Sequence, residues 1–299
     1  MDTPELTEQK LREARRYFED RDLLLSPPIK RAAYSDRMAW LLASIAHLAY
    51  DKFEAGGEAR AILVEKLRGG GFELLDEFNE PATDTQAFLI VNPRHQFAVL
   101  AFRGTEVTSK KDLSTDALVL KIPSIEEKVR IHGGFEKAYN SVSERIEKSL
   151  LEKVHGLPLY ITGHSLGAAL ATVATLALEQ KKYFRDQIAA CYTYGSPRVG
   201  TKALDINFKS PIYRVVNTTD IVTMVPTVGY RHVGDVRFFE NKNGAILRSI
   251  PVTERLLFIL RAALLNLFAP LVGDHAIVEY RNKLEIVARK RNDPKRMGR

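Results

Sequence analysis

The stretch from Leu157 to Leu178 constrains this chain more than any other. It opens with a short apolar run, Leu157-Pro-Leu-Tyr-Ile-Thr162, and passes through Gly163-His164-Ser165-Leu166-Gly167. It then continues to Leu178 as a segment rich in alanine and leucine, both strong helix formers. The pattern is strand, tight turn, helix, and a serine at such a turn sits on sharp, strained backbone. A Cβ two residues to either side of Ser165 would collide with the neighbouring strand or helix, which accounts for Gly163 and Gly167. The helix N-terminus beneath the serine points its N–H groups toward any negative charge developing there. Ser165 therefore reads as a nucleophile.

The rest of the chain alternates between strands and helices. Strands are expected at 72–76, 86–92, 96–103, 157–162, 188–194, 211–217 and 231–239. Helices are expected at 112–120, 134–154, 166–182, 201–208 and 274–290. Such alternation implies an α/β fold with a mostly parallel sheet and helices on both faces. Two further helices precede it. Residues 5–22 are charged and stop at Ser26-Pro27-Pro28. Residues 35–54 start at Ser35-Asp36-Arg37 and repeat Met38, Leu41, Leu42, Ile45, Leu48 and Ala49 at helical spacing, with Trp40 anchoring the helix to the core. The expected organisation is one domain over 1–299: a helical extension at 1–60, a catalytic core at 61–290 and a basic tail at 291–299.

A hydroxyl nucleophile needs a base, and the base needs an orienting carboxylate. On a strand–turn–helix serine the chain order is Ser, then Asp or Glu, then His. Only His232 and His275 follow Ser165 among the seven histidines. His232 falls within the expected strand, where its side chain is fixed to one face. His275 lies in Gly273-Asp274-His275-Ala276, a loop entering a helix, and is the better base. For the acid, the strand 211–217 delivers Asp220 just beyond its end. Asp205 falls in a helix, Asp235 in mid-strand, and Asp274 too close to His275 to orient its ring. His164 adjoins the nucleophile but leaves the turn in another direction, so a packing role is expected. The oxyanion hole needs two backbone donors: the amide of Leu166, and a second from the loop Arg103-Gly104-Thr105, which assigns Thr105.

These pieces resemble the class 3 lipase family, which includes the fungal triacylglycerol lipases, on the α/β-hydrolase fold. The matching residues are Phe102-Arg-Gly-Thr105, Asp112-Leu-Ser-Thr-Asp116, His132-Gly-Gly-Phe135 with Tyr139, and Ile161-Thr-Gly-His-Ser-Leu-Gly167. They continue with Tyr194-Gly-Ser-Pro-Arg-Val-Gly200, Asn217-Thr-Thr-Asp220 with Val222 and Pro226, and Asp274-His275 with Tyr280. They occur in the family's order across roughly residues 80–285. The resemblance implies a Ser165–Asp220–His275 triad, an oxyanion hole of Thr105 and Leu166, and hydrolysis of carboxylic esters, commonly acylglycerols, without metal or cofactor. The chain departs from the family at Asp112-Leu113, where the usual pair is Asp-Trp. It also lacks the signal peptide and the disulfides of secreted members.

Phospholipase A1 and small-ester esterase are the near alternatives, and a non-catalytic lipid-binding protein on the same fold is a distant one. The single cysteine, Cys191, forms no intrachain disulfide, and the charged first residues lack the basic-then-apolar pattern of a secretion signal. A cytoplasmic setting is therefore expected. Much of the excess behind the net charge of +7 sits at residues 289–296, where no aromatic residues interleave, so no nucleic-acid partner is expected. The partner is an ester or lipid substrate, with peripheral contact at a lipid interface. Two segments bear on that contact. The polar stretch 106–111 occupies the family's lid position. The apolar stretch 256–272, broken by Arg261, Asn266 and Pro270, is either a core helix or a roof over the acyl pocket.

Overall fold

Among the described residues, eight strands form one sheet in sequential order: β1 (Glu73–Glu80), β2 (Thr85–Asn92), β3 (Phe97–Phe102), β4 (Leu159–His164), β5 (Ile188–Tyr194), β6 (Ile212–Asn217), β7 (Asp235–Phe239) and β8 (Ile246–Leu247). The computed structural model describes residues 4–292 except 23, 30–32, 105–130, 202–203, 205–208, 218–219, 221, 227–228, 240–245 and 248–274. Strands β3 to β7 pair in parallel, while β1–β2–β3 at one end and β7–β8 at the other are antiparallel. The helices are α1 (Pro4–Arg15), α2 (Asp36–Leu48), α3 (Gly57–Gly69), α4 (Gly133–Lys153), α5 (Leu166–Glu179), α6 (Lys182–Arg185) and α7 (Ile277–Arg291).

The central strands are buried on both faces, so they read as continuous apolar runs rather than as polar–apolar alternation. In β3, Phe97, Val99 and Ala101 enter one core while Ala98, Leu100 and Phe102 enter the other. The first core is closed by α2, α3 and α7, the second by α4 and α5. Helix α2 shows how sequence places such a layer. The Ser35 hydroxyl accepts from the Met38 N–H at 3.3 Å and starts the helix, a cap worth about 1 kcal/mol. Beyond it Met38, Leu41, Leu42, Ile45 and Leu48 are all buried, each such side chain contributing roughly 1.5–3 kcal/mol. Trp40 is fully buried and meets Phe18 edge-on at 6.0 Å.

Several elements depart from the sequence expectation. Helix α3 was not expected, because it buries only the narrow i, i+4 stripe of Leu63 and Leu67, and Glu65 beside it is held by ion pairs to Arg15 and Arg68. Strand β1 runs on from the expected 72–76 to Glu80, because its pairing with β2 continues to Glu80–Thr85; its acidic sequence suits an edge strand. Residues 231–234 precede β7 rather than belonging to it, since Gly234 turns the chain at φ +86° and pairing with β6 begins at Asp235. His232 therefore lies outside the strand, with its Nε2 2.6 Å from the Thr223 carbonyl. The expected segments 106–111, 112–120 and 256–272, and most of 201–208 and of the tail, lie outside the described residues.

Candidate active site

Strand β4 ends at His164 and α5 begins at Leu166, leaving Ser165 alone on the turn between them. Its backbone sits at φ +57°, ψ −125°, a conformation that costs a non-glycine residue about 1–3 kcal/mol and persists only where the surroundings enforce it. The enforcement is visible. Ser165 donates its N–H to the Tyr194 carbonyl at 3.0 Å. A Cβ on Gly163 would stand 2.2 Å from the Gly167 carbonyl oxygen, and one on Gly167 would stand 2.4 Å from that of Phe102. The two glycines thus let strand, turn and helix close on one another.

The C-terminal ends of the parallel strands bring three distant residues together. His275, just before α7, places Nε2 2.8 Å from the Ser165 hydroxyl and Nδ1 2.9 Å from Oδ2 of Asp220. All three are buried, Asp220 completely and Ser165 with 7% of its surface exposed. With Nδ1–H donated to the carboxylate, Nε2 faces the serine as an acceptor.

Asp220 is itself fixed. Its Oδ1 accepts the Val222 N–H at 2.9 Å, and its Oδ2 also accepts the Tyr280 hydroxyl at 2.5 Å. Tyr280 in turn accepts the Asn217 N–H at 3.0 Å. These bonds hold the carboxylate plane so that one oxygen is presented to the histidine. Charged oxygens satisfied in this way make the stronger class of hydrogen bond.

Sequence reasoning selected Ser165, Asp220 and His275, and the structure brings all three into contact. Leu166 opens α5, so its amide belongs to the first turn, where N–H groups have no acceptor within the helix. Thr105 lies outside the described residues, although Gly104 before it stands beside Ser165. Of the rejected carboxylates, Asp235 is exposed at the start of β7, and Asp205 and Asp274 lie outside the described residues.

Two contributors were not identified from sequence alone. Tyr280 was noticed only as part of a family motif, although its place on the first turn of α7 was a usable signal. His164 was expected merely to pack, yet both its ring nitrogens are engaged. Among the described residues no group of three or more His, Cys, Asp or Glu side chains is arranged to hold a metal ion.

The family model described as lipase (class 3) matches residues 99–230. The secreted mono- and diacylglycerol lipase A of Penicillium cyclopium is 34% identical over 171 residues, covering 54% of each chain. Phospholipase A1-II 1 of Oryza sativa subsp. indica is 31% identical over 163 residues, 46% of this chain and 41% of that protein. The chain thus spans about half the length of the curated relatives it matches. Among solved structures, lipase II from Rhizopus niveus superposes with a TM-score of 0.57 at 22% identity, over 68% of this chain and 80% of that one. Residues 99–230 are thus similar to the class 3 lipases, and the chain shares the fold of the Rhizopus lipase.

Proposed function

We propose that the chain is a serine carboxylic-ester hydrolase acting on acylglycerols, with Ser165 as nucleophile, His275 as general base and Asp220 as its orienting acid. The observation that carries the reading is the unbroken hydrogen-bond chain from Asp220 through His275 to a buried serine held at positive φ. His275 Nε2 takes the Ser165 proton as Oγ bonds to the ester carbonyl carbon. The tetrahedral intermediate then collapses, and the same proton passes to the departing alcohol. Water, deprotonated by His275, attacks the acyl-enzyme and releases the acid with Ser165 regenerated. Asp220 stabilises the imidazolium at both stages. The amides of Leu166 and Thr105 hold the oxyanion, each donor contributing about 3 kcal/mol.

Labelling by a fluorophosphonate, located by mass spectrometry, tests the assignment. Modification is expected at Ser165, with Ser165→Ala abolishing both the label and turnover of p-nitrophenyl butyrate. An unlabelled wild-type protein, or an active Ser165→Ala variant, would refute it.

Phospholipase A1 activity is a second reading, favoured by the rice relative named for it. Comparison of dioleoylglycerol with a diacyl phosphatidylcholine as substrate separates the two. Among the described residues no helix is long and apolar enough to cross a membrane. A cytoplasmic setting with peripheral lipid contact is our further reading, supported by the lone buried Cys191, although the Penicillium relative is named as secreted.

A further inference from the structure

Tyr50 follows the end of α2, in the N-terminal segment that precedes the family-matched residues. Its hydroxyl lies 2.8 Å from Nδ1 of His164. On the other side of that ring, Nε2 lies 2.6 Å from the main-chain carbonyl of His275. A carbonyl only accepts, so Nε2 carries the proton. Nδ1 of the neutral ring is then an acceptor, and Tyr50 must donate to it. The protons in this line of three residues are thereby determined. The His164 and His275 rings lie with centroids 4.6 Å apart and planes inclined at 36°. Burial and the neighbouring His275 imidazole hold the His164 pKa well below the usual histidine range, consistent with a neutral ring.

Two further contacts bind the same segment to the site. A Cβ on Gly104 would come within 2.4 Å of the Tyr50 hydroxyl, so this oxygen rests against the residue before Thr105. Glu54, in the turn after Tyr50, forms an ion pair with Arg103. The chain between Tyr50 and Glu54 therefore grips Arg103 and Gly104 as well as His164.

We propose that Tyr50 and His164 are positioning residues for the general base. Tyr50 fixes the ring of His164, and His164 pins the main chain of His275 so that its imidazole stays bridged between Ser165 and Asp220. The inference rests on the hydrolase reading and deepens it. The part played by Tyr50 follows from two effects. Without its hydroxyl, Nδ1 of His164 is left buried without this donor, and the ring is no longer held in one orientation. The main chain of His275, pinned by Nε2 of that ring, would then loosen. Displacements of 1 Å near reacting groups can cost about 100-fold in rate. The titratable groups around His164 are Tyr50 and His47 from α2 and its end, and His275 and Tyr280 from α7 and its approach.

Histidine ¹⁵N NMR of the wild-type protein decides the first half. His164 is expected as the neutral Nε2–H tautomer without titration between about pH 5 and 8; an Nδ1–H tautomer or titration in that range overturns the proposal. Tyr50→Phe decides the second half. Its kcat on p-nitrophenyl butyrate is expected to fall roughly 10-fold with KM little changed. An unchanged kcat, or a rise in KM alone, overturns it. Failure of the hydrolase reading has a different signature: wild-type protein that neither takes the fluorophosphonate nor turns over the ester.

Discussion

The two faces of the sheet are held by different physics. On the face of α4 and α5 the core is chiefly aliphatic, with Leu100, Ile161, Leu170, Val173 and Ile146 meeting few polar groups. On the face of α2, α3 and α7 the sheet offers tyrosines, and their hydroxyls seek the N-terminal backbone. Tyr160 donates to the Ile29 carbonyl at 3.0 Å, Tyr194 donates to that of Ala39, and Tyr192 accepts the Ser35 N–H at 3.2 Å. Thr162 adds a bond from its hydroxyl to the Leu42 carbonyl at 3.4 Å. Apolar burial is nondirectional and holds a helix on the sheet; hydrogen bonds also fix where along the sheet it sits. The aliphatic face carries the helix that follows Ser165, and the tyrosine face sets the register of the segment that reaches His164 and, through it, His275.

The sharpest break between scaffold and site is Asp220→Asn. An amide retains the carboxylate's shape but favours the wrong histidine tautomer, and a comparable change in a serine hydrolase triad lowers kcat about 10⁴-fold. A loss of that order is expected in kcat for p-nitrophenyl butyrate, with the urea midpoint close to wild type. Activity within tenfold of wild type would mean that Asp220 does not orient the base.

What the sequence discloses follows the same division. Ser165, Asp220 and His275 were legible because each is tied to a local pattern: a glycine-flanked turn, a strand end, a loop entering a helix. Helix α2 was legible from its apolar spacing, although it stops at Leu48 before the expected 54. Helix α3 was hidden by the thinness of its buried stripe. The contact of Tyr50 with His164 was illegible for another reason. It joins residues 114 positions apart, and no local periodicity encodes which tyrosine meets which histidine once a helix has docked on the sheet.

On the aliphatic face, Leu170→Ala should cost about 2–5 kcal/mol, because a fully packed leucine leaves a cavity its neighbours fill only in part. Denaturant unfolding measures the loss. At a temperature where the variant remains folded, kcat should stay within about twofold of wild type. A kcat that falls with stability would show that this face also tunes the site, and the distinction between the faces would not stand.

The tyrosine face carries a marked acid sensitivity. His47 lies 2.9 Å from the Tyr17 hydroxyl, and burial together with nearby Arg281 and Lys66 holds its pKa down at about 4 from the usual 6.5. Between those values the unfolded chain binds a proton that the folded chain excludes. Its contribution is therefore complete above about pH 6.5 and is lost as the pH falls toward 4. From pH 7 to 5 the loss from this group is about 2 kcal/mol, and His164 acts in the same direction. Urea midpoints across that range should show the fall, with His47→Gln flattening part of it. An identical slope in the variant would assign the acid sensitivity elsewhere.

The smallest effect separates docking tyrosines from positioning ones. Tyr160→Phe removes the hydroxyl that reaches the Ile29 carbonyl, at a cost of about 1 kcal/mol for one neutral hydrogen bond. Tyr160 is the second residue of β4, at the end of the strand away from Ser165, so its loss should lower the denaturation midpoint and leave kcat and its pH profile untouched. Tyr50→Phe removes a hydroxyl of the same kind on the same face, yet is expected to lower kcat. The pair holds residue type, face and chemical change constant and varies only what the hydroxyl touches: a main-chain carbonyl in one case, a ring that holds the base in the other. If both variants lost stability alone, the tyrosine face would be only a second, more polar means of attaching helices. If both lost kcat, the whole N-terminal layer would act as one rigid support for His275, and the special place of Tyr50 would disappear into it.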